Sequence, residues 1–330
     1  MSSPAHPPSP VSPAFAASFR RRAGARCEIR FDEFVAMALY DPELGYYRAA
    51  RRRVGRQPGT DFHTATSIGP IFGQLVVAAS ISLLAPLSPQ ATTFVEIGAE
   101  PGSSVLDSVD HPFKSVCTLR LGEPLAITGQ CVVFSNELFD AQPFRRFRRT
   151  QNTWVEVGVR LTAAGIVEVE LDRCSEPWLP ESAEAGYCFD APRSAVELAH
   201  EIARQKWTGL FLAFDYGKSF EELAHATPQG TARAYVAHRQ TSDLLMSPGE
   251  QDLTCHVCWD WLGNVLDREG FARVGIQNQE AFFVHNAGGA LARMIGPEST
   301  LRRTDKLALM QLLHPGNMGQ KFQVLHGVRS

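Results

Sequence analysis

Short, unbroken apolar runs punctuate this chain: "TTFVEIG" (92–98), "SVCTLRL" (115–121), "CVVFSNE" (131–137) and "GLFLAFDYG" (209–217). None alternates as a strand with one wet face would, so they predict the strands of a mainly parallel sheet covered on both sides. Between the last two, "TWVEVGVRLTAAGIVEVEL" does alternate on either side of Ala163-Ala164-Gly165, which predicts an antiparallel hairpin inserted into the domain or added at an edge. Helical spacing places Phe72, Leu75, Val76, Ala79 and Leu83 on one stripe between Pro70 and Pro86. Pro192 opens a second helix carrying Ala195, Leu198, Ala199, Ile202 and Ala203 on one face. A third follows Thr254, with Cys258, Trp261, Leu262, Val265 and Leu266 inward and Gly270 as its stop. The pattern predicts an α/β domain over 91–330 with an insertion at about 150–190, and a helical extension over 28–90.

Composition refines this outline at the N-terminus. Residues 1–27 hold five prolines, five serines and four arginines but no acid, a mixture that predicts a disordered tail. Residues 62–95 contain no Asp, Glu, Lys or Arg, yet Pro70 and Pro86 limit any helix there to less than the ~20 residues that hydrocarbon requires. A buried helix, and no membrane span, is expected.

Charge and cysteine usage narrow the function class. With a net charge of -3 over 330 residues, the arginine clusters at 51–53 and 145–149 are offset elsewhere, so no nucleic-acid partner is expected. Either cluster can still meet an acidic protein surface. The cysteine count, 7, is odd, and the thiols lie in apolar settings, which predicts a reducing compartment. Cys255-His256-Val257-Cys258 has metal-like spacing, but a tetrahedral site would need a second pair, so these read as buried thiols and no metal is expected.

Chemistry in an open α/β sheet belongs at the carboxyl ends of the strands. Three ends carry informative residues. Glu96-Ile97-Gly98 with Gly102 beyond allows close backbone approach by a ligand, although a plain strand-to-helix turn explains it equally well. Ser135-Asn136-Glu137-Leu138-Phe139-Asp140 sets an amide and two acids just past an apolar strand, where buried carboxylates need partners; a helix start capped by Asn136 is the plain alternative. Asp215-Tyr216-Gly217 ends the fourth run.

Taken in order, "FDEFVAMALYDPELGYY", "DFHTATSIGPIFGQ", "EIGAEPG", "SNELFDAQPFRRF", "LAFDYG", "GTARAYVAHR", "SPGEQDLTCHV" and "LLHPGNMGQKFQVL" resemble the motifs of the MidA-like class I S-adenosylmethionine-dependent methyltransferases. The resemblance runs from about residue 29 to 326. That family includes a protein arginine methyltransferase that serves assembly of mitochondrial complex I. The resemblance implies a Rossmann-like class I methyltransferase fold, S-adenosyl-L-methionine as cofactor, and a protein arginine as acceptor, with a respiratory-complex subunit as the family's kind of substrate. It also implies roles: Glu96, Gly98, Gly102 and Asn136 toward the cofactor, with Glu123 standing in for the acid that holds the ribose. Glu137 and Asp140 are the catalytic candidates, orienting a guanidinium and accepting its proton. Asp61, Asp215, Asp252 and His256 would line the substrate cleft, His256 reading equally well as a structural residue before a helix.

This sequence departs from the family pattern at defined places. Glu100-Pro101 stands where the family has a glycine, bringing a negative charge toward the expected methionine carboxylate. Thr66-Ser67 replaces Pro-Glu. Only 33 residues, 103–135, separate Gly102 from Asn136, too few for the usual succession of helices and strands, so a layer is expected to be missing. Three functions fit the sequence: an active methyltransferase, a silent relative using its cleft and the 145–149 arginines for complex assembly, and, least well because no G-x-G-x-x-G occurs, a nicotinamide enzyme. Cytoplasm is the expected compartment, with the mitochondrial matrix as alternative from the N-terminal arginines. The oligomeric state is not legible.

Overall fold

The computed structural model describes residues 9–48, 69–236 and 239–330. Where a disordered tail is expected, the chain instead forms a helix, α1 (Pro13–Ala23): Ser12 Oγ accepts the amide of Phe15, Pro13 presets the first turn, and Phe15 and Phe19 are buried. The compositional signal averaged over this amphipathic turn. After β1 (Glu28–Arg30), α2 (Phe31–Tyr40) is closed at its start by Glu33, whose carboxylate accepts the Arg30 amide. The long helix α3 (Pro70–Leu84) matches the predicted stripe.

The main sheet then forms. Strands β2 (Thr93–Ile97), β3 (Ser115–Leu119) and β4 (Gly129–Asn136) are parallel, with β2 in the middle of the three. The connections β2–β3 and β3–β4 contain turns and no helix, so the shortened 103–135 segment has lost its covering helices there and leaves β3 as the sheet edge.

An inserted antiparallel sheet follows: β5 (Arg145–Arg149), β6 (Trp154–Thr162), β7 (Gly165–Cys174) and β8 (Cys188–Ala191). The hairpin β6–β7 turns at Ala163-Ala164 as the alternation predicts. One edge of β6 pairs first with β5 and then with β1, so the N-terminal segment is stitched into the insertion.

Helix α4 (Arg193–Ala203) leads into β9 (Trp207–Asp215), parallel to β4. The short β10 (Gly217–Lys218) and α5 (Phe220–His225) follow. Strands β11 (Arg233–Val236), β12 (Arg239–Thr241) and β13 (Asp252–Thr254) make a small sheet over the strand ends, and β14 (Val257–Cys258) pairs with β10. Helix α6 (Trp259–Arg268), β15 (Ala272–Asn278), α7 (Gln279–Asn286), α8 (Gly288–Ile295), α9 (Arg303–Leu313) and β16 (Gln323–Arg329) complete the chain. The main sheet runs β15-β16-β9-β4-β2-β3, with β16 antiparallel to both of its neighbours, β15 and β9.

Alternate residues of the central strands feed two separate cores. Phe94, Val132, Phe134, Leu212 and Phe214 pack under α3, α7 and α9, while Val95, Val133, Phe211 and Ala213 pack under α4 and α6. Each large side chain buried this way contributes about 1.5–3 kcal/mol. Registers Ile97–Ser135 and Asn136–Phe214 align the ends of β2, β4 and β9, which places the three informative strand ends at one rim.

Candidate functional site

A cleft of about 1360 Å³ opens at that rim. Its floor is made by Glu96–Pro101 after β2, Leu119–Glu123 after β3 and Asn136–Leu138 after β4; its far wall comes from Tyr40, Tyr47 and Arg48 of the N-terminal segment and from Arg233, Tyr235, Asp252 and His256 of the small sheet. A small-molecule pocket usually holds about 300–1,000 Å³, so this one has room for a cofactor and part of a second reactant.

On the cofactor side, Glu96 is buried and already committed: Ser104 Oγ donates to it at 2.6 Å and the Val105 amide at 2.9 Å. Burial raises its carboxyl above the usual range, and those two bonds partly offset the rise. Glu96 therefore shapes the turn as well as lining the cleft. Gly98 lines the cleft at φ 81, the left-handed region that favours glycine, and a Cβ there would push on Leu138 Cδ1 at 2.9 Å. Gly102, at φ 74, serves the same turn but does not line the cleft. Glu123 does line it, one carboxylate oxygen held by the Arg120 amide at 2.7 Å. Asn136 donates its amide to Glu137 at 2.9 Å, leaving its buried Oδ1 without a partner. Glu100 faces the cleft too.

The donor and acceptor set fits S-adenosyl-L-methionine. An unpaired amide oxygen and the Glu123 carboxylate can accept from ammonium and ribose hydroxyl groups, and the bare backbone of Gly98 lines the same cleft.

On the opposite side, acids and phenols converge. No helix begins after β4, so Asn136 caps nothing; the chain instead turns with Glu137 at φ 53, an uncommon backbone for glutamate. Asp140 is buried, and burial together with the neighbouring Asp215, Glu137 and Asp252 carboxylates pushes its carboxyl well above the usual range. Asp252 lies in the wall and accepts Tyr47 Oη at 3.0 Å; Tyr40 stacks on Tyr47 with ring centroids 5.4 Å apart. Tyr216 and Tyr235 add two further phenols. His256 lies in the wall with its buried Nδ1 unpartnered, and burial plus the Lys218 and Arg233 charges bring its imidazole down to about 4, so it is neutral at pH 7.

Two expectations need correction and one lies out of reach. Asp215 does not line the cleft: it is fully buried behind the wall, where the amides of Phe139 at 2.8 Å, Asp140 at 3.3 Å and Tyr216 at 2.8 Å all donate to it. Burial raises it to about 7 despite those bonds, and its carboxyl is hydrogen-bonded to that of Asp140. Three amides favour the anion at Asp215, while burial and the neighbouring carboxylates favour the protonated form of Asp140 over a ready carboxylate. Asp61 lies outside the described residues.

Three of the four arginines of β5 are spent on ion pairs within the chain, against their reading as a free docking surface, and Arg149 lies over the Trp154 ring. Arg145 meets Glu156 at 2.8 Å and Glu176 at 3.0 Å, Arg146 meets Asp190 at 2.7 Å and Glu168 at 2.8 Å, and Arg148 meets Glu168 at 3.0 Å. Cys255 and Cys258 are buried thiols, burial pushing the Cys258 thiol up to about 12. Sequence reading missed Tyr40, Tyr47, Arg48, Arg233 and Tyr235. The only available signal was that several aromatic and cationic residues sit in the motif blocks "LYDPELGYY" and "TARAYV" rather than in apolar runs.

Comparison with known proteins gives this geometry a context. Residues 88–277 match a family model described as "Putative S-adenosyl-L-methionine-dependent methyltransferase". The chain is similar to the Danio rerio "Protein arginine methyltransferase NDUFAF7, mitochondrial", 25% identical over 360 residues that cover 88% of this chain and 81% of that protein. It is similar to the Mus musculus protein of the same name, 26% identical over 369 residues, 89% and 81% of the two chains. Its fold is that of a COG1565 superfamily member from Burkholderia thailandensis crystallised with S-adenosyl-homocysteine, with a TM-score of 0.84, 24% identity, and coverage of 96% and 92%. Among the described residues no helix is long and apolar enough to cross a membrane.

Proposed function

Because the chain belongs to this family of S-adenosyl-L-methionine-dependent methyltransferases, we propose that it transfers the methyl group to an arginine side chain of a protein. The observation that carries the reading is the ring of acids and phenols, Glu137, Asp252, Tyr40, Tyr47 and Tyr235, beside the cofactor side of the cleft. A guanidinium is planar, cationic and rich in N–H donors, and carboxylates with aromatic faces are its chemical complement. The arginine methyltransferases among its relatives support the same acceptor.

Bound S-adenosyl-L-methionine supplies an electrophilic sulfonium methyl. Gly98, Asn136 and Glu123 would hold it, with Glu96 and Gly102 keeping the turn in shape. Glu137 orients the guanidinium from the strand end, its own carboxylate fixed by the Asn136 amide. Asp252, anchored by Tyr47, adds a second acceptor. The tyrosine wall would exclude water and hold the acceptor side chain against the cofactor side of the cleft.

The mitochondrial names of the relatives support a mitochondrial location over the cytoplasm, and a respiratory-complex subunit as acceptor rests on the motif resemblance alone. The silent assembly reading loses most of the basic segment assigned to it, since Arg145, Arg146 and Arg148 are paired within the chain. Incubating the purified protein with methyl-tritiated S-adenosyl-L-methionine and a pooled library of arginine-centred peptides tests the proposal. Label recovered as methylarginine supports it; label on lysine or carboxyl groups alone, or none with cofactor bound, overturns it.

A further inference from the structure

Methylating a guanidinium releases a proton, and the residues closest to the expected acceptor do not share that task evenly. Glu137 is tied to Asn136 and Asp252 to Tyr47, so each has one oxygen engaged in positioning. Asp140 differs. It lines the cleft, yet its carboxyl is hydrogen-bonded to Asp215, which lies behind the wall, fully buried and fixed by three backbone amides. The backbone of Asp140 is itself held, its carbonyl accepting the Cys255 amide at 2.8 Å. One face of this carboxyl pair thus meets the reaction space and the other meets a rigid anion site with no solvent contact.

We propose that Asp140 and Asp215 form a proton-accepting pair, Asp140 the catalytic residue that meets the acceptor nitrogen and Asp215 the positioning residue that orients Asp140 and takes its proton. This rests on the arginine-methylation reading. As the N–C bond forms and the C–S bond breaks, that bond's electron pair leaves with sulfur. The nitrogen's proton passes to Asp140 while the proton Asp140 already carries moves to Asp215. The pair goes from one proton to two and from monoanion to neutral, which balances the charge released by the reaction. Glu137, Asp252, Tyr47, Tyr216, Tyr235 and Cys255 are the titratable groups that face Asp140. The anionic acids among them make a second negative charge on the pair unfavourable, so it holds one proton at rest. Removal of the positive guanidinium proton into this site relieves the same crowding.

Carboxyl ¹³C NMR of aspartate-labelled protein across pH, in the wild type and in Asp140→Asn, reads the pair without relying on turnover. The expected wild-type result is one aspartate that ionises only near neutral pH. In Asp140→Asn the Asp215 titration should move by about one pH unit or more. Two aspartates ionising independently in the ordinary acidic range would overturn the pair, as would an Asp215 signal indifferent to the Asp140 substitution. Single-turnover methyl transfer supplies the second arm, with S-adenosyl-homocysteine binding as the check that each variant is folded. Asp215→Asn should move the acid limb of the rate profile downward by a similar shift, and an unmoved limb in cofactor-binding Asp215→Asn protein contradicts the proposal. A wild type that binds cofactor but methylates no arginine refutes the acceptor assignment and the relay's role with it, whereas transfer with two independent titrations refutes the relay alone.

Discussion

Glu137 follows directly on strand β4 at the cleft, and its backbone makes a sharp prediction. At φ 53 a residue with a Cβ sits in the left-handed region, at a cost of roughly 1–2 kcal/mol relative to glycine. Replacing Glu137 by Gly removes that strain, loses about 0.5–1 kcal/mol in backbone entropy and gives up the Asn136 hydrogen bond, about 0.5–1.5 kcal/mol. The sum lies near zero. Glu137→Ala loses the same bond and keeps the strain, so the glycine variant should be as stable as the alanine variant or up to about 1 kcal/mol more stable, with any other contact of the side chain cancelling between the two. Both should lose methyl transfer by about 100-fold through misplacement of the guanidinium, a barrier increase of about 3 kcal/mol, with cofactor affinity little changed. Urea unfolding and single-turnover transfer, run side by side, measure the two effects. An alanine variant clearly more stable than the glycine variant, or full activity in either, refutes the reasoning.

Other substitutions probe the supporting structure. Arg146→Met strands the buried Asp190 carboxylate, otherwise bound at 2.7 Å, and should cost about 3–5 kcal/mol in urea unfolding; a loss below 1 kcal/mol contradicts the pairing. Glu100→Gln removes one negative charge from the cofactor side and should tighten S-adenosyl-L-methionine binding by about fivefold, near 1 kcal/mol by Coulomb's law in a wet cleft, read by calorimetry. Unchanged or weaker binding places that carboxylate away from the ligand. Asp215, raised from an ordinary 3.8 to about 7, contributes stability that is full below the lower value and lost as pH rises through the higher one. Unfolding free energy should therefore fall between about pH 4 and pH 7, and Asp215→Asn should flatten that slope; an equal slope in the variant rules the pair out as its source.

Most of the main sheet was readable because its strands are buried on both faces. The runs around Phe94, Val132 and Leu212 had to be apolar throughout, and their ends had to fall where Glu96, Asn136 and Asp215 stand. The hairpin was readable for the opposite reason, its residues alternating about Gly165. Helix α1 was hidden because proline-rich residues around it outweighed the Phe15 and Phe19 spacing, and because the surface that buries those rings belongs partly to a strand far along the chain. The arginines of β5 looked like a basic patch since their acidic partners, Glu156, Glu168 and Asp190, arrive on other strands. Asp215 could not be told from a cleft acid, for only the turn of Phe139 and Asp140 back over it shows that its oxygens face amides. The phenols of the far wall were equally invisible, their meeting with the acids depending on how the N-terminal segment lies across the small sheet.

Cofactor binding at the ends of β2 and β4 is what every step above requires, and calorimetric titration of the wild-type protein with S-adenosyl-L-methionine tests it most directly. A saturable heat that disappears in Gly98→Trp, where a side chain would enter the cleft beside Leu138, is the predicted result. No heat up to millimolar ligand, or equal binding by wild type and Gly98→Trp, would contradict it.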